Sequence, residues 1–131
     1  MKRIASSFLL AAVVLAPAVA SANPTDLVQG FSGTAQASFS GPEWQPVPGT
    51  RHHFVTKLRF VELSLTFSMT GTCEGCETAV LIDGVPSEPV EGALDGDMFS
   101  AARRGHHWIQ LAVRGTATVD GPWNLLLIQV P

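Results

Sequence analysis

Strict alternation of apolar and polar residues over Leu63–Thr70 is the feature that most restricts the fold of this chain. Leu, Leu, Phe and Met in this run are each followed by Ser or Thr. A period of two places the four apolar side chains on one face of an extended strand, whereas in a helix they would be spread around the axis. The run therefore predicts a half-buried strand. His107–Val113 alternates in the same way and predicts a second one.

Glycine and proline divide the rest of the chain into short segments rich in Val, Ile, Leu, Thr and Phe. Short strands bounded by such residues are typical of all-β sandwiches and barrels, and a short turn or helix is indicated only at Met98–Arg104. We therefore predict an all-β fold, an antiparallel β-sandwich of the jelly-roll type. The last predicted strand, Trp123–Val130, is apolar on both faces over Leu125–Ile128 and is expected to be a central strand covered on both sides.

A change of parity within one long apolar run predicts a corner between two sheets. Phe54, Leu58 and Phe60 share one parity, whereas the apolar residues from Leu63 onward have the other. Because a one-residue slip would expose a whole apolar face, we expect a bulge or a corner near Val61–Glu62. The long run would thus pass from one sheet to the other.

The N-terminal residues predict a secretory signal peptide. Lys2 and Arg3 form a basic start, the apolar run Phe8–Val19 follows, and Ala20–Ala22 supplies the small residues of a cleavage site, with cleavage after Ala20 as an alternative. The apolar run is too short to span a bilayer, which takes about 20 residues. We expect a secreted or periplasmic product without a membrane span. The predicted organisation is a signal peptide (residues 1–22), a loose leader up to residue 29 with the first short strands (23–49), and the main part of a single β-sandwich domain (50–131).

Charge argues against nucleic acid and anionic membranes as partners. Removal of the signal peptide would leave six of the eight basic residues against eleven acidic ones, which changes the formal net charge from −3 to −5. Both kinds of partner require a basic surface. No basic residue occurs between Phe60 and Ser100, a stretch with eight acidic residues. We interpret this stretch as a solvated acidic edge, with a weak calcium site as the alternative.

Cys73 and Cys76, the two cysteines of the chain, form a CxxC motif between two predicted strands. In an exported protein two cysteines usually pair, and Gly75 permits a tight turn, so we predict a disulfide that staples a hairpin tip. A redox-active CxxC is the alternative, although acidic neighbours disfavour the reactive thiolate. A zinc site would also need the histidine pairs His52–His53 and His106–His107, whose spacing matches no zinc motif. We therefore expect neither a metal nor a cofactor.

Trp108 is the main candidate for a ligand contact. It shares a strand face with Gln110 and Arg114, and an exposed indole can stack on a sugar ring while such polar side chains bind its hydroxyl groups. We predict these three as ligand-binding residues, with packing of Trp108 against the second sheet as the alternative. Trp123, which follows Gly121–Pro122, is expected to anchor the last strand.

Two segments resemble small secreted bacterial jelly-roll domains, including ones likened to the C1q/TNF group. Leu81–Pro86 is a strand that ends in an Asp-Gly turn followed by proline, and Gly105–Leu111 is an alternating strand that starts with Gly-His-His. The resemblance covers about residues 50–131. It implies a β-sandwich with a role in recognition or assembly, and it transfers no catalytic residue.

These observations predict an exported, non-catalytic recognition or assembly domain that binds a glycan, a surface polymer or another protein. Homo-oligomerisation is compatible with such a sandwich. No catalytic motif is present, and Ser32, His107 and Asp120 would form a Ser-His-Asp set only if the fold brought them together. The alternatives are a small secreted hydrolase and a CxxC protein with a redox or metal-binding function.

Overall fold

The computed structural model describes residues 26–131, and the predicted signal peptide lies outside the described residues. Strands connected by turns and loops make up the described chain, and no helix occurs in it. Met98–Arg104, the candidate for a short helix, is part of a strand. In chain order the strands are β1 (Val28–Phe39), β2 (Gln45–Pro46), β3 (His52–Ile82), β4 (Val85–Pro86), β5 (Val90–Glu91) and β6 (Asp95–Val130).

β3 and β6 are too long to be straight strands, and they pair with each other in separate segments. As the residue number rises along β3, the number of its partner on β6 falls, so this pairing is antiparallel. Each break between segments marks a bend or a bulge in the chain. The paired segments of β3 and β6 are 52–56 with 105–109, 60–68 with 95–103, 62–69 with 123–130, 71–74 with 116–119, and 77–82 with 109–114.

These segments form two layers, in agreement with the predicted antiparallel β-sandwich. Between the layers, the rings of Phe31 and His52 stack with centroids 4.6 Å apart, and Thr56 donates a hydrogen bond to Gln129 over 3.0 Å. Sheet I consists of β1 and residues 60–74, 95–103 and 116–130. Sheet II consists of β2, β4, β5 and residues 52–56, 77–82 and 105–114.

The apolar faces predicted from alternation form the core between the sheets. The four apolar side chains of Leu63–Met69 are at most 9% exposed, and Ile109, Leu111 and Val113 on sheet II are fully buried. Burial of one such side chain contributes roughly 1.5–3 kcal/mol. Trp123–Val130 lies between β1 and β3, which is the central position predicted for it. Its outer face is not covered as predicted, because Leu126 and Ile128 are only partly buried and Val130 is 41% exposed.

The corner between the sheets lies earlier than the predicted position near Val61–Glu62. The register with β6 breaks over 57–59, where three residues of β3 face a single residue of β6. After this bulge, the opposite set of side chains faces the core. Leu58 and Phe60 are therefore 40% and 58% exposed, whereas Val61 is buried. The prediction that these two residues share the buried face of Phe54 is therefore wrong.

β1 forms one regular strand in the region where a leader and short strands were expected. Each of its twelve residues pairs with β6, from Val28 with Ile128 to Phe39 with Ala117. Gln29, expected in a loose segment, is instead fully buried. Neither amide atom of its side chain has a hydrogen-bond partner.

Candidate ligand-binding site around Trp108

The predicted disulfide between Cys73 and Cys76 is present. It lies inside β3 at the bend between 71–74 and 77–82, where the chain passes from sheet I to sheet II, and not at the tip of a hairpin as predicted. The hairpin is absent because the two segments follow each other in one bent strand. Both sulfurs are bonded to each other, and within residues 26–131 no three or more His, Cys, Asp or Glu side chains are grouped to hold a metal.

Trp108 projects outward from the middle strand of sheet II. Its chain neighbour Ile109 points into the core, so the alternation of the strand turns the indole to solvent, where it is 47% exposed. The guanidinium carbon of Arg51 lies 4.3 Å from the indole centroid, and the ring of His53, its cross-strand partner, lies 5.5 Å away. Trp108 is therefore exposed as predicted, and its indole lies beside the ring of His53 on the outer face of sheet II.

A shallow depression with a volume of about 360 Å³ opens beside Trp108. Small-molecule sites typically start at about 300 Å³ and combine an apolar contact surface with a few polar groups. Here one indole is surrounded by a guanidinium, a carboxylate and an amide, which supply both donors and acceptors. The residues that line the depression are Arg51, Leu81, Asp83, Gly84, Trp108 and Gln110.

Arg114, the third predicted ligand-binding residue, does not line this depression. It forms an ion pair with Glu77 and lies over the ring of Trp44, at 4.4 Å from the centroid. Arg114 follows Trp108 by six positions in the sequence, which corresponds to about 20 Å along an extended strand. A shared strand face was therefore not sufficient to bring the two side chains together.

Arg51 and Asp83 were not predicted from the sequence as residues of this site. Arg51 precedes His53, the cross-strand partner of Trp108, so only the register between β3 and β6 reveals its position. Asp83 was recognised as part of a turn. Its φ of 53° is in the left-handed region, where Asp is one of the better tolerated residues. The available signal was the Asp-Gly dipeptide, which indicated the turn but not the direction of the carboxylate.

Asp83 connects the depression to the strand that carries Trp108. Its carboxylate accepts hydrogen bonds from the backbone N–H of Trp108 (2.9 Å) and from Nδ1 of His107 (2.7 Å). Nε2 of His107 donates to the carbonyl oxygen of Arg103 (2.7 Å). Both partners of the imidazole are acceptors, and only its doubly protonated form donates from both nitrogens. The observed geometry thus favours a positively charged His107.

The pKa values of Asp83 and His107 move apart in the direction that favours an ion pair. Burial alone would raise the pKa of Asp83 and lower that of His107. The hydrogen bond between them, the backbone hydrogen bonds to Trp108 and Arg103, and the attraction of opposite charges outweigh burial. The pKa of Asp83 is consequently lowered and that of His107 raised.

We expect the Asp83–His107 pair to stabilise the fold most between pH 3.8 and 6.5, the ordinary pKa values of the two groups. The contribution is lost at higher pH as His107 deprotonates above its raised pKa, and at lower pH as Asp83 is protonated below its lowered pKa. In urea denaturation, His107→Gln should cost about 1 kcal/mol inside this window and less at about pH 9. A cost that does not vary with pH would contradict this interpretation.

The hypothetical Ser-His-Asp set is not brought together by the fold. Ser32 is on β1 in sheet I, whereas His107 is on sheet II and is bonded to Asp83. Asp120 accepts a hydrogen bond from Gln36 (3.1 Å). The three residues therefore do not form a nucleophile–base–carboxylate arrangement in this structure.

No family model and no curated protein matches this chain. Among solved structures it is similar to a chain of the disulfide-linked pili of Bacillus endospore appendages, at 10% identity and a TM-score of 0.37, over 88% of this chain and 99% of the other. It is also similar to the Podospora anserina GH26-CBM35 β-(1,4)-mannanase, at 18% identity and a TM-score of 0.32, over 84% of this chain and 27% of the other. Such low values carry no information on ligand or partner.

Within residues 26–131, no helix has the length and apolar character needed to cross a membrane.

Proposed function

We propose that this protein is an exported, non-catalytic recognition domain that binds a glycan in the depression around Trp108. The observation that carries the proposal is the half-exposed indole with three polar side chains grouped beside it. The apolar face of a sugar ring stacks on an aromatic ring, and its hydroxyl groups need both donors and acceptors. Arg51 and Gln110 offer donors, and Asp83 and Gln110 offer acceptors.

Local rigidity supports this proposal. Trp108 lies on the middle strand of sheet II, and its backbone N–H is bonded to Asp83. A side chain that is already ordered loses little entropy when a ligand binds, so less of the interaction energy is lost. The guanidinium of Arg51 lies over one face of the indole, so a sugar that stacks on this face displaces it, and this displacement offsets part of the gain from rigidity.

Two further parts of the proposal rest on other observations. Export is supported by the basic and apolar N-terminal sequence and by the Cys73–Cys76 disulfide, because disulfides persist in oxidising compartments. The narrower jelly-roll likeness to the C1q/TNF group is supported by the Asp83–Gly84 turn before β4 and by the alternating segment of β6 that follows Gly105. A surface polymer built from sugars would use the same side chains.

Glycan-array binding by the secreted protein, followed by calorimetry on the best ligand, tests the proposed function. Trp108→Ala should weaken binding at least tenfold, which corresponds to about 1.4 kcal/mol, because the stacking surface is removed. Trp44→Ala is the matched control, since Trp44 also lies under an arginine but does not line the depression. This control should bind like the wild type.

Several results would overturn the proposed function. Binding of no glycan on the array, or equal loss in the Trp108 and Trp44 variants, would remove the depression as a glycan site. Cleavage of the bound glycan, detected by mass spectrometry after prolonged incubation, would contradict the non-catalytic part and favour the hydrolase alternative. Circular dichroism of each variant establishes that lost binding is not lost folding.

A further inference from the structure

Among the strands that the structure describes, β1 is an edge strand with one open side. Within residues 26–131 it pairs with β6 alone. The carbonyl oxygen of Leu27 accepts a hydrogen bond from the backbone N–H of Gln129, so the odd-numbered residues of this antiparallel ladder direct their backbone groups toward β6. The even-numbered residues direct theirs to the open side. They are Val28, Gly30, Ser32, Thr34, Gln36 and Ser38.

β1 lacks the features that usually protect an edge strand from pairing. Its twelve residues include no charged residue and no proline, and its register with β6 is unbroken from end to end, so no bulge distorts it. Proteins normally use these devices to prevent edge-to-edge association. The opposite edge of sheet I, residues 95–103, contrasts with β1 because it carries Asp95, Asp97 and Arg103.

We propose that β1 pairs with β1 of a second copy of this chain to form a two-fold antiparallel dimer. Sheet I would then continue across both copies. An uncharged strand brings no like charges together when it faces itself, and two-fold pairing is the commonest form of self-association. The surface is separate from the Trp108 depression, and the dimer does not depend on the proposed glycan binding.

One register satisfies all the open backbone groups of β1. If the two-fold axis passes through Gly33, each even-numbered residue faces another even-numbered residue, for example Ser32 facing Thr34 of the second copy. The two Gly33 residues then face each other as a non-hydrogen-bonded pair, in which the Cα atoms are only about 4.5 Å apart. Gly33 already packs closely against Trp123 on β6, where an added Cβ would lie 3.0 Å from the indole nitrogen.

Sedimentation velocity of the secreted protein over a range of concentrations tests the dimer. Thr34→Lys should raise the dimer dissociation constant at least tenfold, because both copies place the charge at the pairing edge. Thr66→Lys is the matched control: Thr66 lies exposed on an inner strand of sheet I, opposite Asp97, so the dimer should persist. Thr34→Pro removes an N–H that β6 does not use, and it should also give a monomer.

Hydrogen exchange identifies the interface directly. The amides of Ser32 and Thr34 should exchange slowly in the wild-type dimer and rapidly in the Thr34→Lys monomer, while amides of the odd-numbered residues stay protected in both. A wild-type protein that is monomeric at all concentrations would overturn the proposal. So would a dimer that survives Thr34→Lys, or open-ended growth into larger species. Unchanged glycan binding by Thr34→Lys would separate this result from the proposed function.

Discussion

Replacement of Gly71 by alanine should destabilise the fold by at least about 3 kcal/mol or prevent folding. Gly71 has a φ of 150°, and a Cβ at this position would lie 1.8 Å from the carbonyl oxygen of Thr118 and 3.0 Å from Cα of Val119. These are backbone atoms of the paired strand, so no side-chain rotation relieves the overlap. Urea denaturation followed by circular dichroism measures the loss in the free energy of unfolding.

The close approach at Gly71 follows from the way β3 and β6 bend together. Met69 pairs with Trp123 and Gly71 pairs with Val119, so a single residue of β3 faces three residues of β6. This bulge moves the two backbones close together, and a residue without Cβ is required on β3. An added methyl group would push the two backbones apart and disrupt the pairing of the neighbouring segment 71–74 with β6.

Gly105→Ala is the matched control for this prediction. Gly105 also has an unfavourable φ for other residues, 131°, but nothing lies within 4 Å of its missing Cβ. This variant should therefore show only the conformational cost, about 1–2 kcal/mol. Equal losses in the two variants would mean that the backbone at Gly71 relaxes, and the close approach would then not be a constraint on the fold.

The alternation of the sequence was sufficient to predict the strands of the core, because burial on one face is a local property of a strand. The four apolar residues of Leu63–Met69 and the residues at 109, 111 and 113 are buried as their parity predicts. The position of the layer change was not predictable in the same way. The bulge at 57–59 depends on how β3 faces β6, so Leu58 and Phe60 were assigned to the wrong side.

The residues of the candidate site likewise fall into two groups: those that a single strand places together, and those that only strand pairing or a turn brings to the site. Trp108 and Gln110 are two residues apart on one strand, so their shared face also places them in one depression. Arg51 and Asp83 are distant from Trp108 in sequence and join it only through strand pairing and a left-handed turn. Arg114 has the correct parity, but the length of the strand separates it from the depression.

Replacement of Trp123 by alanine is the second change with a large expected effect, a loss of about 3–5 kcal/mol. Trp123 is 1% exposed, packs against Gly33 and lies 5.8 Å from the ring of His52 between centroids. Its removal would leave a cavity between β1, β6 and the first segment of β3, and the rigid strands around it cannot close that space. The prediction that Trp123 anchors the last strand thus corresponds to a large loss in the free energy of unfolding when this side chain is removed.

Trp108→Ala provides the matched control, because the same substitution at a half-exposed site creates no enclosed cavity. We expect it to cost less than about 1 kcal/mol in the same urea denaturation experiment, with circular dichroism unchanged. Trp123→Phe should fall between the two, since phenylalanine fills part of the space and removes the indole N–H, which has no hydrogen-bond partner. Equal costs for Trp123→Ala and Trp108→Ala would contradict the core position of Trp123. If Trp108→Ala remains folded in this way, weaker glycan binding by the variant can be interpreted as loss of a contact between the indole and the ligand.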